Sequence, residues 1–170
     1  MRMLPYTRGV EQDILEAFLE AVRQVFRETD IPIESVEAAQ EPQAEDHVIT
    51  SIGLTGDLKG ILMLRTDLSG AAGILHAMTS GIRLPAREDM LTELQMAALA
   101  ELSNQISGRA ITLLSDLHLN CDITPPAVVA ARHLRSHVPD LPTSFSRTLR
   151  GPFGRITLFV GLQARELLER

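Results

Sequence analysis

The sequence has one cysteine, no tryptophan, one tyrosine and a single lysine, Lys59. One cysteine excludes an internal disulfide. Cys121 sits in Leu119–Ile123, which reads as a strand. A buried structural thiol is the simplest account of it, since no neighbouring base is indicated that would make it a nucleophile. Aromatics are scarce at 4%, basic residues form no cluster, and the net charge is −6. Nucleic-acid binding needs cationic surface to neutralise phosphates and often needs stacking platforms, so this balance argues against it. No apolar run approaches the 18 or so residues of a membrane span. Met1–Tyr6 lacks the apolar core of a secretion signal, which predicts a cytoplasmic protein.

Sets of metal ligands and nucleotide loops are also missing. His133 and His137 are four apart, but Pro139 follows and no carboxylate or cysteine stands at matching spacing. They read as surface histidines, and His47, His76 and His118 are isolated. Ser69-Gly70-Ala71-Ala72-Gly73 opens a helix but lacks the spacing and lysine of a phosphate loop. Close helix packing explains its small residues better. With no nucleophile–base pair, metal set or nucleotide loop, an enzyme with a pocket of its own is disfavoured. A protein or small-molecule partner remains.

What is present fits one domain spanning the 170 residues. Residues 9–28 carry apolar side chains at helical spacing, from Val10 through Phe26, and Asp30-Ile31-Pro32 ends that helix. Residues 34–46 are acidic and Gln-rich, a strand end and loop. His47–Leu54 and Leu58–Arg65 form a hairpin turning at Gly56-Asp57, and Gly60 marks a bulge or a close backbone approach. A second helix spans about 68–80, capped by Asp67 or Ser69 and closed by Gly81. A third begins at Pro85–Asp89 and covers about 87–117, with Leu91, Leu94, Ala98, Leu102, Ile106, Leu113 and Leu117 on its apolar side. Strands follow at 119–124, 143–149 and 155–162, with 128–134 strand or irregular and a helical turn at 164–169. The blocks predict an α+β fold: a largely antiparallel sheet with long helices packed on it.

The third helix holds the most distinctive pattern. Glu101 and Asn104 lie one above the other, away from the centre of the apolar sector, and Ala97, Gly108 and Thr112 share their side. Solvent faces more often carry Lys and Glu pairs. Small residues admit a partner closely, Glu101 can pair with a cation, and Asn104 can both accept and donate. Gly108 costs a helix about 1 kcal/mol against Ala. Close packing within the domain would explain it, and so would close approach of a partner.

Glu101-x-x-Asn104-x-x-x-Gly108 in a long helix, after a strand hairpin and a helix, resembles the CheC/CheX/FliY family of chemotaxis phosphatases. Asp122-Ile123-Thr124-Pro125-Pro126-Ala127-Val128-Val129 is similar to a proline-containing strand of that family, and Gly53–Leu64 to its hairpin. One Glu-x-x-Asn helix is present, which resembles single-site CheX more than two-site CheC. The family often has Asp or Ser four residues before the Glu, where this chain has Ala97. The resemblance implies a CheC/CheX-like fold and a phosphatase acting on the phosphoryl-aspartate of a CheY-like response regulator. Asn104 would orient the attacking water and Glu101 would pair with the regulator's active-site lysine. Ala97, Gln105 and Gly108 would meet the partner. Mg²⁺ would belong to the regulator, so the chain would need no cofactor of its own, and a homodimer is expected. A catalytically silent binding or dimerisation domain on the same fold is the alternative.

Overall fold

A computed structural model describes residues 8–39, 47–80, 90–131 and 138–163. Met1–Tyr6, Gly81, Pro85–Asp89, His133, His137, the 164–169 turn and most of the Gln-rich loop lie outside these residues. The element order is α1 (Arg8–Glu28), β1 (Ser35–Ala38), β2 (Val48–Gly56), β3 (Gly60–Thr66), α2 (Leu68–Met78), α3 (Glu93–Asp116), β4 (Cys121–Ile123), β5 (Ala127–Ala130), β6 (Thr143–Gly151) and β7 (Gly154–Leu162).

All seven strands join one sheet in the order β1-β6-β7-β3-β2-β4, with β5 also paired to β2. Every pairing is antiparallel. The α+β architecture expected from the blocks is therefore present. The apolar segment Ile156–Leu162, which in sequence could be edge or centre, lies in central β7, between β6 and β3.

The core forms where the helices cover one sheet face. α1 buries Ile14, Phe18, Val22, Val25 and Phe26 along one stripe. Phe18 meets Phe145 of β6 with ring centroids 6.3 Å apart, and Phe26 meets Phe153 edge-on at 5.8 Å. From the sheet, Leu54, Leu62, Leu64, Leu158 and Val160 join the same cluster. A smaller cluster of Ile49, Met63 and Phe159 lies apart from it. Ile49, Met63 and Phe159 alternate with the core residues along their strands, so they belong to the opposite face.

The glycines of the two small-residue motifs sit where there is no room for a side chain. A Cβ at Gly60 would overlap the carbonyl oxygen of Gly161 on β7, the close approach expected there. In α2, a Cβ at Gly70 would strike Thr66 Oγ1, and one at Gly73 would come within 2.7 Å of Phe153 Cα. The Ser69–Gly73 run thus serves helix-to-sheet contact. Asp67 caps α2, its Oδ1 accepting from the Gly70 amide at 2.6 Å.

α3 corrects two expectations. Its first residue is Glu93, and Met90 and Leu91 are not helical, so the helix does not run on from Pro85–Asp89. Thr92 caps it. Gln95 N–H donates to Thr92 Oγ1 at 3.2 Å and Thr92 N–H donates to Gln95 Oε1 at 2.7 Å, a reciprocal capping box. Leu94 and Leu117, placed by spacing on the apolar side, are exposed at 64% and 40%. The buried face is instead Gln95, Leu99, Leu102, Ser103, Ile106, Ser107, Ala110 and Leu114. The helix closes with His118 at φ 62°, its N–H on Ser115 O and the Leu119 N–H on Leu114 O.

β4 and β5 act as one partner strand of β2 broken by an extra residue. Leu54 lies opposite Ile123 and Ser51 opposite Ala127, so three steps on β2 match four on the other side. Pro125-Pro126 falls in that bulge, where missing N–H groups cost no ladder bond. Thr124 spans it: its N–H donates to Gly53 O at 3.0 Å, and its Oγ1 accepts from Gly53 N–H at 2.8 Å. No helix among the described residues is long and apolar enough to cross a membrane.

Candidate functional site

Two neighbours fix the position of α3. Ser103, fully buried, shares a hydrogen bond with Thr50 of β2. Small Ser103, Ser107 and Ala110 let the helix sit close on the sheet, while Leu102, Ile106 and Leu114 fill the core. On the flank toward α1, Arg109 Nη2 lies 3.0 Å from both Glu28 carboxylate oxygens, and its Nη1 donates to Gln24 Oε1 at 3.2 Å. These are half-exposed partners, so they orient the helix more than they stabilise it.

The side of α3 opposite the buried core face carries the residues singled out from sequence. Ala97, Glu101, Gln105 and Thr112 are exposed, and Asn104 and Gly108 are half-buried. Glu101 and Asn104 are one helical turn apart, so their side chains leave the helix as neighbours. Gln105 Nε2 donates to Glu101 Oε1 at 3.0 Å. That bond steadies the carboxylate, and Oε2 makes no hydrogen bond or ion pair among the described residues. The Asn104 carboxamide has none either, so both its donor and its acceptor are available.

Gly108 separates two explanations left open by the sequence. A Cβ built there meets nothing within 4 Å. Contact within the described chain therefore does not require glycine at this position, in contrast to Gly70 and Gly73.

Cys121 is half-buried rather than fully buried. Burial pushes its thiol pKa up, a backbone hydrogen bond at Leu58 pulls it down, and the nearby Asp57 charge adds to the rise. A raised pKa lowers the thiolate fraction, the opposite of what a nucleophile needs. Sequence reasoning missed Ser103 and Thr50, the pair beneath the site. Ser103 does recur at core spacing with Leu99, Ile106 and Ala110, and its polarity masked that signal.

The comparisons with known proteins meet this geometry. A relative named CheY-P phosphatase CheX, from Thermotoga maritima, is 34% identical over 88 residues, 52% of this chain and 54% of the relative. The chain thus matches about half the length of that relative. Among solved structures, the chemotaxis protein CheX of Vibrio vulnificus superposes with a TM-score of 0.73 at 17% identity, over 88% of this chain and 98% of that one. A CheX–CheY–BeF3–Mg²⁺ complex from Borrelia burgdorferi gives 0.72 at 19% identity, over 88% of this chain and 97% of that one. At such identities the structural likeness is one of fold. A family model described as chemotaxis phosphatase CheX matches residues 48–147, a stretch that includes the hairpin and all of α3. It covers more than half of the sequence, and the chain therefore belongs to the chemotaxis phosphatase CheX family.

Proposed function

We propose that this chain dephosphorylates the phosphoryl-aspartate of a CheY-like response regulator. The observation that carries the reading is the pair Glu101 and Asn104, adjacent on the outer face of a helix whose other face is fixed to the core. The Borrelia relative supports the partner, since that complex joins a CheX protein to CheY with BeF3 and Mg²⁺. BeF3 on an aspartate stands in for a phosphoryl group.

An acyl phosphate held beside Mg²⁺ in the regulator already has much of its charge neutralised there. The missing part is a positioned nucleophile. Asn104 holds a water in line with the aspartyl P–O bond. The water oxygen attacks phosphorus, the bond to the aspartate oxygen breaks, and aspartate carboxylate and inorganic phosphate leave, one of the water's protons staying on the phosphate and the other passing to solvent. Orientation alone can supply several kcal/mol, so no general base is required of this chain. Glu101 pairs with the regulator's active-site lysine and sets the register. Ala97 and Gly108 let the regulator approach, and Gln105 holds the Glu101 carboxylate. The metal belongs to the regulator.

Ala97, in place of the family's frequent Asp or Ser, favours a second reading: a silent domain that binds the regulator without hydrolysing it. Decay of a phosphorylated CheY-type regulator, measured with and without the protein, separates the two. Acceleration by the natural protein supports catalysis, and binding without acceleration supports the silent domain. Asn104→Ala is expected to abolish acceleration, a drop of about 100-fold, with binding largely retained. Glu101→Ala is expected to weaken both. An unchanged rate for Asn104→Ala would overturn the mechanism.

A further inference from the structure

Among the described residues, the two most exposed large apolar side chains are Leu94 at 64% and Met90 at 61%. Both stand at the N-terminal end of α3, Leu94 in its first turn and Met90 two residues ahead of the Thr92 cap. A lone exposed leucine is ordinary. The position of this one is informative. Leu94 precedes Glu101 by seven residues, which returns it to the same line on the helix, about 10 Å away along the axis. A standard interface covers about 800 Å² per partner, a patch about 30 Å across. A partner seated over Glu101 and Asn104 therefore extends over Leu94.

Charge sharpens what that partner must be. Residues 90–108 include Glu93 and Glu101 and no basic side chain. Arg109, the next residue, is drawn toward α1 by Glu28 and Gln24. The face is acidic and apolar, so its complement is a surface with a cation and an apolar patch close together.

We infer that Leu94, with Met90, is the apolar anchor for the receiver domain that Glu101 and Asn104 address. The receiver carries its matching apolar patch about 10 Å from the lysine that meets Glu101, in keeping with the helix rise. This inference rests on the proposed partner, and it assigns Leu94 a role in affinity and partner choice, separate from the chemistry.

Leu94→Asp tests it with a clear sign. Position 94 is exposed and lies in the first turn of α3, where an acidic side chain suits the helix dipole, so the variant keeps its fold. If charge alone governed docking, an added carboxylate would tighten binding to a basic partner. If the apolar contact governs it, binding weakens. The probe is the set of CheY-type receiver domains of the source organism, loaded with Mg²⁺ and BeF3, titrated by calorimetry. Phosphate release from the phosphorylated receiver gives KM and kcat.

For Leu94→Asp the expected result is a rise of tenfold or more in Kd and KM, with kcat within twofold and Leu94→Met restoring affinity. Unchanged or tighter binding by Leu94→Asp overturns the anchor, as does a natural protein that binds none of the receivers. Weaker binding by Leu94→Asp, with no hydrolysis by the natural protein, supports the anchor and overturns the phosphatase reading alone.

Discussion

The two sides of α3 use similar side chains under opposite constraints. On the inner side, Ser103 and Ser107 are small because the sheet is close, and Leu102 and Ile106 fill what space remains. On the outer side, Ala97 and Gly108 are small, and among the described residues a Cβ built on Gly108 meets nothing within 4 Å. α2 makes the same contrast from another direction, since its glycines are forced by Thr66 and Phe153. Small residues that serve the fold have neighbours that would clash with anything larger. A glycine without such a neighbour lowers helix stability with no return among the described residues.

Three substitutions can break or sharpen this contrast. Leu102→Ala on the inner side should lower unfolding free energy by about 3 kcal/mol, read from denaturant midpoints, because it opens a cavity in the core. A loss under 1 kcal/mol would mean that the core does not depend on the inner face as described.

Thr50→Val should cost about 1 kcal/mol, since it keeps the shape but leaves Ser103 Oγ without its β2 partner. Thr50→Ser should recover most of that. Equal stability for the two variants would show that shape alone seats the helix.

Gly108→Ala should go the other way, raising stability by about 0.8 kcal/mol and Tm by about 2 °C. The same change should weaken regulator binding if a partner comes close there. Greater stability with unchanged affinity would place Gly108 outside the interface.

The parts legible in the sequence were those with a strong period. α1, the β2–β3 hairpin and β7 could be read from apolar spacing, because each buries a regular stripe or run. Glu101 and Asn104 could be placed on an outward side for the same reason. Pro85–Asp89 resembles a helix opening in sequence, but the start of α3 is set by Thr92-Glu93-Leu94-Gln95, which carries the capping-box spacing. Leu94 is apolar yet exposed, so hydropathy at helical spacing does not by itself give burial. Ser103 and Ser107 show the reverse: their Oγ atoms lie inside, and Ser107 Oγ has no hydrogen-bond partner among the described residues. The pairing of β1 with β6 joins segments over 100 residues apart, and no local pattern encodes it.

The bulge at Pro125-Pro126 has a consequence for the rim of the sheet. It reverses the alternation of side chains between β4 and β5, so Val128 and Ala130 join the core while Val129 turns outward at 52% exposure. It also puts two residues that cannot donate into the middle of the outermost strand. An extended peptide laid along this rim would find three residues, a gap, and then four, out of phase with the first three by one. The rim therefore offers no continuous template for another strand, although its side chains are mostly apolar and uncharged.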